Sequence, residues 1–384
     1  MTTNLLQPRV FCIGAVLLLA SIAAAPASAL ASPLDQYQIF PSESFHLPVV
    51  GTGQQPPAVF DALGDGRLIV VTTTDGDAAP QNGSAAVPRL FVESAVGSRS
   101  FDLVGELPLD VNSWTDFGAS FLRVSPGGHH VAVGNNGGRI GVFDGTGLSG
   151  GGSAPVVTWF ETDEFVGAWF DDTQLAVGNT SGVVIFDATP SIATTLAPTT
   201  DLVITGMAAS GDVAFDAAGN LYTADGFGPA AGLVKRFDLV DWQTARTDGT
   251  PLSFSTDGDE LLTFSSGASL RIDVDGNIIV GGGRFDLPFS ESNGIGLFSP
   301  DGSEMRILDP NMANNDQGNF YTLGYNPATG EIFVQEPFAL NFGQPVDHTL
   351  IHVIRPVPEP STLLLAGLGA GLCCVGYLRR RNCS

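Results

Sequence analysis

Lysine is nearly missing from this 384-residue chain: Lys235 is the one example, against 15 arginines and 40 acidic residues, for a net charge of −24. A basic patch for nucleic acid cannot be built from that stock, and there is no Gly-Lys pair of the Walker type. Like charges repel over a Debye length, so polyanionic partners are disfavoured as well. Cysteine is equally scarce. Cys12, Cys373, Cys374 and Cys383 all lie near the ends, so residues 32–357 have no disulfide, no thiolate metal site and no cysteine nucleophile. Helical periodicity is missing too. Between 32 and 357 no stretch carries a convincing 3.6-residue apolar repeat.

The two ends have their own character. The first 31 residues contain no acid and one base, Arg9, with an apolar run from Val10 to about Ala25 and small residues behind it. This is the pattern of a secretory signal peptide, with cleavage expected after Ala29 or Ala31. At the other end Pro358-Glu359-Pro360 precedes an uncharged stretch, 361–378, and then Arg379, Arg380 and Arg381. Eighteen uncharged residues can just span a thin bilayer as a transmembrane helix, and the arginines should stay cytoplasmic. The expected division is a signal peptide at 1–31, an exported domain at 32–357 and a tail at 358–384. The exported part holds 39 of the 40 acids and 12 of the 16 bases, a net charge of −27.

What fills the middle is a repeat. Short runs of Val, Ile, Leu and Phe are separated by Gly, Asp and Asn, the all-β pattern. VFDALGDGRLIVV at 59–71, LRVSPGGHHVAVG at 122–134, AWFDDTQLAVG at 168–178, VAFDAAGNLYTAD at 213–225, LRIDVDGNIIVGG at 270–282 and LGYNPATGEIFVQE at 323–336 share one order. An apolar entry leads to a turn and then to an apolar strand. Several copies are followed by a strand ending in Phe-Asp, as in GRIGVFD at 138–144 and GVVIFD at 182–187. Steps of 64, 46, 45, 57 and 53 residues separate Phe60, Val124, Phe170, Phe215, Ile272 and Tyr325. Repeats of that length with four short strands are the signature of a β-propeller, because one blade buries neither face until neighbours stack on it. Six blades are expected, with the unassigned strands at 88–104 leaving room for a seventh. Ring closure is expected to pair a strand near Tyr37–Phe40 with TLIHVI at 349–354.

Few motifs promise chemistry. Asp273-Val274-Asp275-Gly276-Asn277 begins like a calcium loop, but Arg284 stands where a bidentate Glu is needed. A hairpin turn is the leading reading, with Asp273, Asp275 and Asn277 as a weak Ca²⁺ site beside it. Gly145-Thr146-Gly147-Leu148-Ser149-Gly150 spells a dinucleotide fingerprint, yet Gly151 to Pro155 lead into another strand, so no helix follows to hold a phosphate. His129 and His130, adjacent on a strand, should face opposite ways, and structural roles are expected for them and for His46, His348 and His352. Acidic loops at Asp171-Asp172, Asp257 to Glu260 and Asn311–Asn319 are candidates to gather at the channel mouth.

Two resemblances add to this. Val357-Pro358-Glu359-Pro360, the apolar stretch and the terminal arginines closely resemble the PEP-CTERM sorting signal. That likeness implies an exosortase-type membrane transpeptidase as partner, membrane attachment through the tail before processing, and then display at the cell surface or release. FDAAGNLYTAD and IDVDGNIIVGG resemble NHL-type and gluconolactonase-like propeller repeats, and SPGGHHVAVG the WD type. Gluconolactonase-like propellers hold a divalent metal with Glu, Asp and Asn, but no ligand set transfers here residue by residue. The leading functional reading is a non-enzymatic binding or structural module that meets envelope or extracellular polymer components, with no cofactor. The alternative is a metal-dependent, Ca²⁺-type hydrolase or lactonase on the same ring.

Overall fold

The structure is a computed structural model. It describes residues 33–48, 59–74, 87–107, 119–135, 139–162, 164–179, 182–190, 195–207, 211–226, 232–264, 269–281, 295–308, 319–339 and 350–357. Six sheets, antiparallel but for one outer strand each in blades 2 and 3, follow one another around a central axis. Blade 1 is β3 (Val59–Ala62), β4 (Leu68–Thr74), β5 (Val87–Glu93) and β6 (Phe101–Glu106). Blade 2 is β7 (Ala119–Val124), β8 (His130–Asn135), β9 (Arg139–Asp144) and β10 (Thr158–Glu161), with β14 (Thr195–Leu196) added in parallel outside. Blade 3 is β11 (Glu164–Trp169), β12 (Gln174–Asn179), β13 (Gly182–Asp187) and β15 (Asp201–Thr205), again with a parallel fifth strand, β19 (Leu252–Ser253). Blade 4 is β16 (Val213–Phe215), β17 (Leu221–Ala224), β18 (Leu233–Phe237) and β20 (Asp259–Thr263). Blade 5 is β21 (Ser269–Ile272), β22 (Ile278–Gly281), β23 (Ile295–Phe298) and β24 (Met305–Leu308). Blade 6 is β25 (Asn319–Asn326), β26 (Glu331–Ala339) and β27 (Leu350–Pro356), completed by the N-terminal β1 (Tyr37–Ile39) and β2 (Phe45–His46). The strands at 88–104 are the outer half of blade 1, so the blade count is six.

The expected closure is present. Tyr37, Gln38 and Ile39 pair with Pro356, Arg355 and Ile354, and Val357 N–H donates to Gln36 O at 2.8 Å. The first blade in sequence thus meets a last blade built from both ends of the described chain, which removes an open edge.

Alternation within the second strand of each blade supplies two faces, and both are buried. In β4, Ile69 and Val71 enter the core shared with blade 2, while Leu68 and Val70 enter the core shared with blade 6. The same division recurs around the ring, so six apolar clusters sit between neighbouring blades. Each fully buried Val, Leu or Ile contributes about 1.5–3 kcal/mol. This is why a cysteine-free domain can hold its ring together.

The turn after each inner strand is the repeated sequence feature made visible. In blade 5, Asp273 N–H donates to Asn277 O at 3.0 Å and Gly276 N–H to Asp273 O at 3.1 Å. Blade 4 repeats this with Asp216, Gly219 and Asn220, and blade 2 with Ser125, Gly128 and His130. Blade 3 has no glycine there. Asp171 Oδ1 instead accepts from Thr173 N–H, Thr173 Oγ1–H and Gln174 N–H at 2.7, 2.8 and 2.8 Å. A side-chain acceptor replaces what the glycine conformation does elsewhere.

Among the described residues one α-helix departs from the all-strand expectation. α1 (Leu239–Asp248) lies between β18 and β19 and buries only Trp242 and Ala245. Two anchors three residues apart are too few to leave a visible period. Trp242 packs edge-on against Phe170 at 5.0 Å and donates its indole N–H to Gly219 O at 3.0 Å, which pins the insertion onto blades 3 and 4.

Candidate functional site

Two positions before the start of each inner turn, the six blades carry Asp61, Arg123, Ala168, Ala214, Arg271 and Gly324. Three of these are charged and three are small. A ring of six inner strands brings the charged ones together at the axis, and the small residues leave the space that long side chains need.

Asp212, just before β16, is the hub. Its carboxylate is 1% exposed and accepts from Val213 N–H at 2.9 Å and Leu270 N–H at 2.7 Å. It also accepts from Arg123 Nη2 at 3.0 and 3.2 Å and from Arg271 Nη1 at 3.2 Å. Arg123 Nη1 and Arg271 Nη1 further donate to Leu122 O and Leu270 O at 2.9 and 2.7 Å, and Arg271 Nη2 donates to Leu323 O in blade 6. Asp61 accepts from Val124 N–H at 2.9 Å, and the Trp169 indole N–H donates to Arg123 O at 3.0 Å. Every blade therefore contributes a bond to one central network. Burying such charges is costly unless they are paired and hydrogen-bonded, and here they mostly are.

The pairing is incomplete in one direction. Burial raises the Asp61 carboxyl above its ordinary value although Arg271 and Arg123 pull the other way. Burial, with the like charge of Arg123 beside it, lowers the Arg271 guanidinium to about 10 in spite of Asp212 and Asp61. Arg271 Nε is buried with no hydrogen-bond partner. Two cations, Arg123 and Arg271, thus share the Asp212 carboxylate.

On the side of the inner turns the network floors a cavity of about 300 Å³. Asp61, Arg123 and Arg271 form its polar base, while Trp169, Phe215, Ile272 and Tyr325 are among its apolar walls. On the other side Arg123, Asp212, Ser120 and Ser269 line a pocket of about 40 Å³. Ser120 Oγ there has no partner, and a space of that size with several polar groups suits a single water.

Of the described residues singled out from sequence as candidate sites, Asp273 lines the cavity of about 300 Å³. Asp273, Asp275 and Asn277 form the hairpin turn of blade 5. Asp273 accepts from Asp275 N–H, Asn277 N–H, Asn277 Nδ2 and Tyr37 O–H, at 2.9, 2.8, 2.8 and 2.7 Å. Asp171 and Asp172 lie on a turn of the same kind in blade 3, but Asp259 and Glu260 are on the outer strand β20, paired to Arg236 and Lys235 at 2.6 and 3.3 Å. The two described acidic loops therefore lie at different positions of their blades, and among the described residues no three His, Cys, Asp or Glu side chains come together as a metal site. His129 sits in the turn before β8 and His130 starts the strand, so strict alternation does not apply. His130 Nδ1 lies 2.5 Å from Asp172 O and His129 Nε2 3.9 Å from Asp172 Oδ2. His352 on β27 approaches Ser44 Oγ at 3.4 Å. The Gly145–Gly150 segment connects β9 to β10, with no helix behind it. Ala29, Ala31, Pro358, Glu359, Pro360, Arg379 to Arg381, His348 and residues 311–318 lie outside the described residues. Among the described residues no helix is long and apolar enough to cross a membrane.

The central cluster was not singled out from sequence, although a signal existed. Leu122-Arg123 and Leu270-Arg271 are identical dipeptides at the same repeat position. Reading the repeats as columns, with attention to the charged exceptions, would have found them.

Comparison with known proteins bears on the fold and the tail. The PQQ domain of a pyranose dehydrogenase from Coprinopsis cinerea, in its holo form, matches with a TM-score of 0.50 at 10% identity, covering 83% of this chain and 97% of that one. The PQQ-bound aldose sugar dehydrogenase of Streptomyces coelicolor matches at 0.48 and 13% identity, over 81% of this chain and 97% of that one. Likeness at such identity shows the fold alone. No curated protein matches the sequence. Residues 356–381 match the PEP-CTERM protein-sorting motif. That motif implies export, attachment by the C-terminal region to the membrane and processing by an exosortase. The chain is a six-bladed β-propeller that ends in a PEP-CTERM sorting motif.

Proposed function

We propose that the propeller is a non-enzymatic binding module of the cell surface, delivered by its sorting tail and engaging envelope or extracellular polymer components through the mouth of its central channel. Residues 1–31 direct export, with cleavage at Ala29 or Ala31. Pro358-Glu359-Pro360, the apolar stretch at 361–378 and Arg379 to Arg381 form the exosortase substrate.

The observation that carries the binding reading is the 300 Å³ mouth, apolar in its walls and charged at its base. Small-molecule sites have this make-up: a mostly hydrophobic cleft with a few convergent polar groups. The polar groups are held still by bonds to several blades, as a preorganised site requires. Asp212 and the two arginines are occupied with one another and with backbone carbonyls, which favours recognition over proton transfer.

The test is retention. Purified full-length chain, immobilised, is offered solubilised envelope and extracellular-polymer fractions of cells that make it. Val274 is 64% exposed on the blade 5 turn at the edge of the mouth, so Val274→Trp blocks entry without touching the charged base. A component held by the native chain and lost from V274W supports the reading. Equal retention by both removes the channel mouth as the site.

A further inference from the structure

The charge on the base of the mouth selects among ligands. Of the two carboxylates near Arg123 and Arg271, Asp212 lines the small inner pocket and not the mouth. Asp61 does face the mouth, but its burial disfavours the ionised form. The base that a ligand meets therefore holds two guanidinium groups, Arg123 and Arg271, against one carboxylate, Asp61. Arg271, 8% exposed, lines that base, and its buried Nε–H has no hydrogen-bond partner. Two further carboxylates line the mouth and are turned to other work. Asp216 accepts from Ala218 N–H and Asn220 N–H, both at 2.9 Å, and Asp273 serves its own turn and Tyr37.

The walls define the rest of the ligand. Trp169 spends its only donor on Arg123 O, so what it offers to the cavity is ring surface. Phe215, Ile272 and Ala168 add no donor or acceptor. Guanidinium groups are the side chains best matched to carboxylates. Size and net charge exclude a polymer of acids: a chain of anions outside the mouth meets a strongly negative domain, while a single anion inside lies within a few ångströms of the arginines and far inside a Debye length.

Building on the binding role proposed above, we propose that the channel mouth holds a small organic carboxylate, its anionic head over Arg123 and Arg271 and its apolar body against Trp169, Phe215 and Ile272.

Benzoate is a suitable probe, with benzamide as its neutral counterpart and chloride to match ionic strength. Melting of the purified full-length chain should shift upward with benzoate in a saturable way, because a ligand of the native state alone raises the melting temperature. Benzamide should leave it unmoved. Val274→Trp should abolish the benzoate shift, and Arg271→Lys, which keeps the charge and loses the Nε–H, should weaken binding at least tenfold. Should R271K unfold, V274W alone decides the location. An equal response to benzamide, lost in V274W, overturns the carboxylate assignment and leaves the mouth as a binding site. A benzoate shift that survives in V274W overturns both. No benzoate shift in the native chain overturns the carboxylate assignment, while retention of envelope components still tests the wider role by itself.

Discussion

The hydroxyl of Tyr37 donates to Asp273 Oδ2 at 2.7 Å, joining residues 236 positions apart. Tyr37 belongs to the strand that closes blade 6, and Asp273 opens the turn of blade 5. The N-terminal segment is thus fixed to two blades, by backbone pairing to one and by a side chain to the other.

Removing that hydroxyl should be felt. Tyr37→Phe leaves Asp273 with three of its four donors, and a lost buried hydrogen bond costs about 1 kcal/mol. Urea unfolding is the measurement, and an unchanged midpoint would show that the bond adds nothing to closure. The same geometry bears on calcium. A cation at Asp273 would have to displace donors already in place, so excess Ca²⁺ or EDTA should leave the melting temperature unchanged. A rise with Ca²⁺ would restore the metal reading of Asp273, Asp275 and Asn277.

Asp212 is the sole carboxylate bonded to both central arginines among the described residues. Asp212→Asn should destabilise the domain by about 3–5 kcal/mol, since removing one partner leaves buried charge uncompensated. Chemical denaturation of the variant against the native chain gives the value directly. A loss below about 1 kcal/mol, the level of an exposed pair, would mean that the channel is wetter than its burial indicates.

Asp61 should make stability depend on pH. Its folded carboxyl is raised above the ordinary 3.8, so the protonated form is the one the fold prefers. The associated stability is complete below the unfolded value and is lost as pH rises through the folded one. Arg271, Arg123 and the Val124 N–H oppose this rise without cancelling it. Asp61→Asn keeps an acceptor for Val124 and removes the titration. The variant should gain on the native chain as pH climbs from about 4 towards neutrality. Melts across that range would show it, and parallel curves would contradict it.

Two glycines with similar backbone angles should respond differently to alanine. Gly128 has φ of 73°, and a Cβ there would lie 2.7 Å from Gly64 Cα in the neighbouring blade's turn. Gly147 has φ of 71° with nothing within 4 Å. Gly147→Ala should cost about 1–2 kcal/mol from the left-handed conformation alone. Gly128→Ala should cost more, because backbone on blade 1 must move. Equal losses would mean that the two turns part easily.

The tail begins where the ring ends, with the sorting motif starting at Pro356, the last residue of β27. A chain ended after Val357 should melt like the full one. Ending it after Thr349 deletes β27 and the partner of β1, and cooperative unfolding should be lost. In cells that carry out sorting, mass spectrometry of the mature protein should find nothing beyond Pro360. An intact Ser384 would reduce the tail to an anchor.

Much of the architecture was legible in the chain because a propeller is built from local repeats. The turn at Asp216 to Asn220 and the strands beside it are set by neighbours a few residues away, and six copies declare the ring. α1 escaped notice because Trp242 and Ala245 bury too narrow a face. The acidic loops misled because a list of acids does not say which strand of a blade carries them: Asp259 and Glu260 turned out to face Arg236 and Lys235 on the outside.

The sequence by itself determined the repeated blades, the cysteine-free and acidic character of the domain, the closure by Tyr37 to Ile39 and the sorting motif behind it, while the choice of six blades over seven came from the strands at 88–104 joining blade 1. All of these depend on short-range pattern or on composition. Only the tertiary structure decided that Asp61, Arg123, Asp212 and Arg271, spread over 211 positions, form one buried network. The physical reason is that inner strands from every blade converge on one axis. Burial there, which no local pattern encodes, raises the Asp61 carboxyl and lowers the Arg271 guanidinium, and both arginines line the mouth.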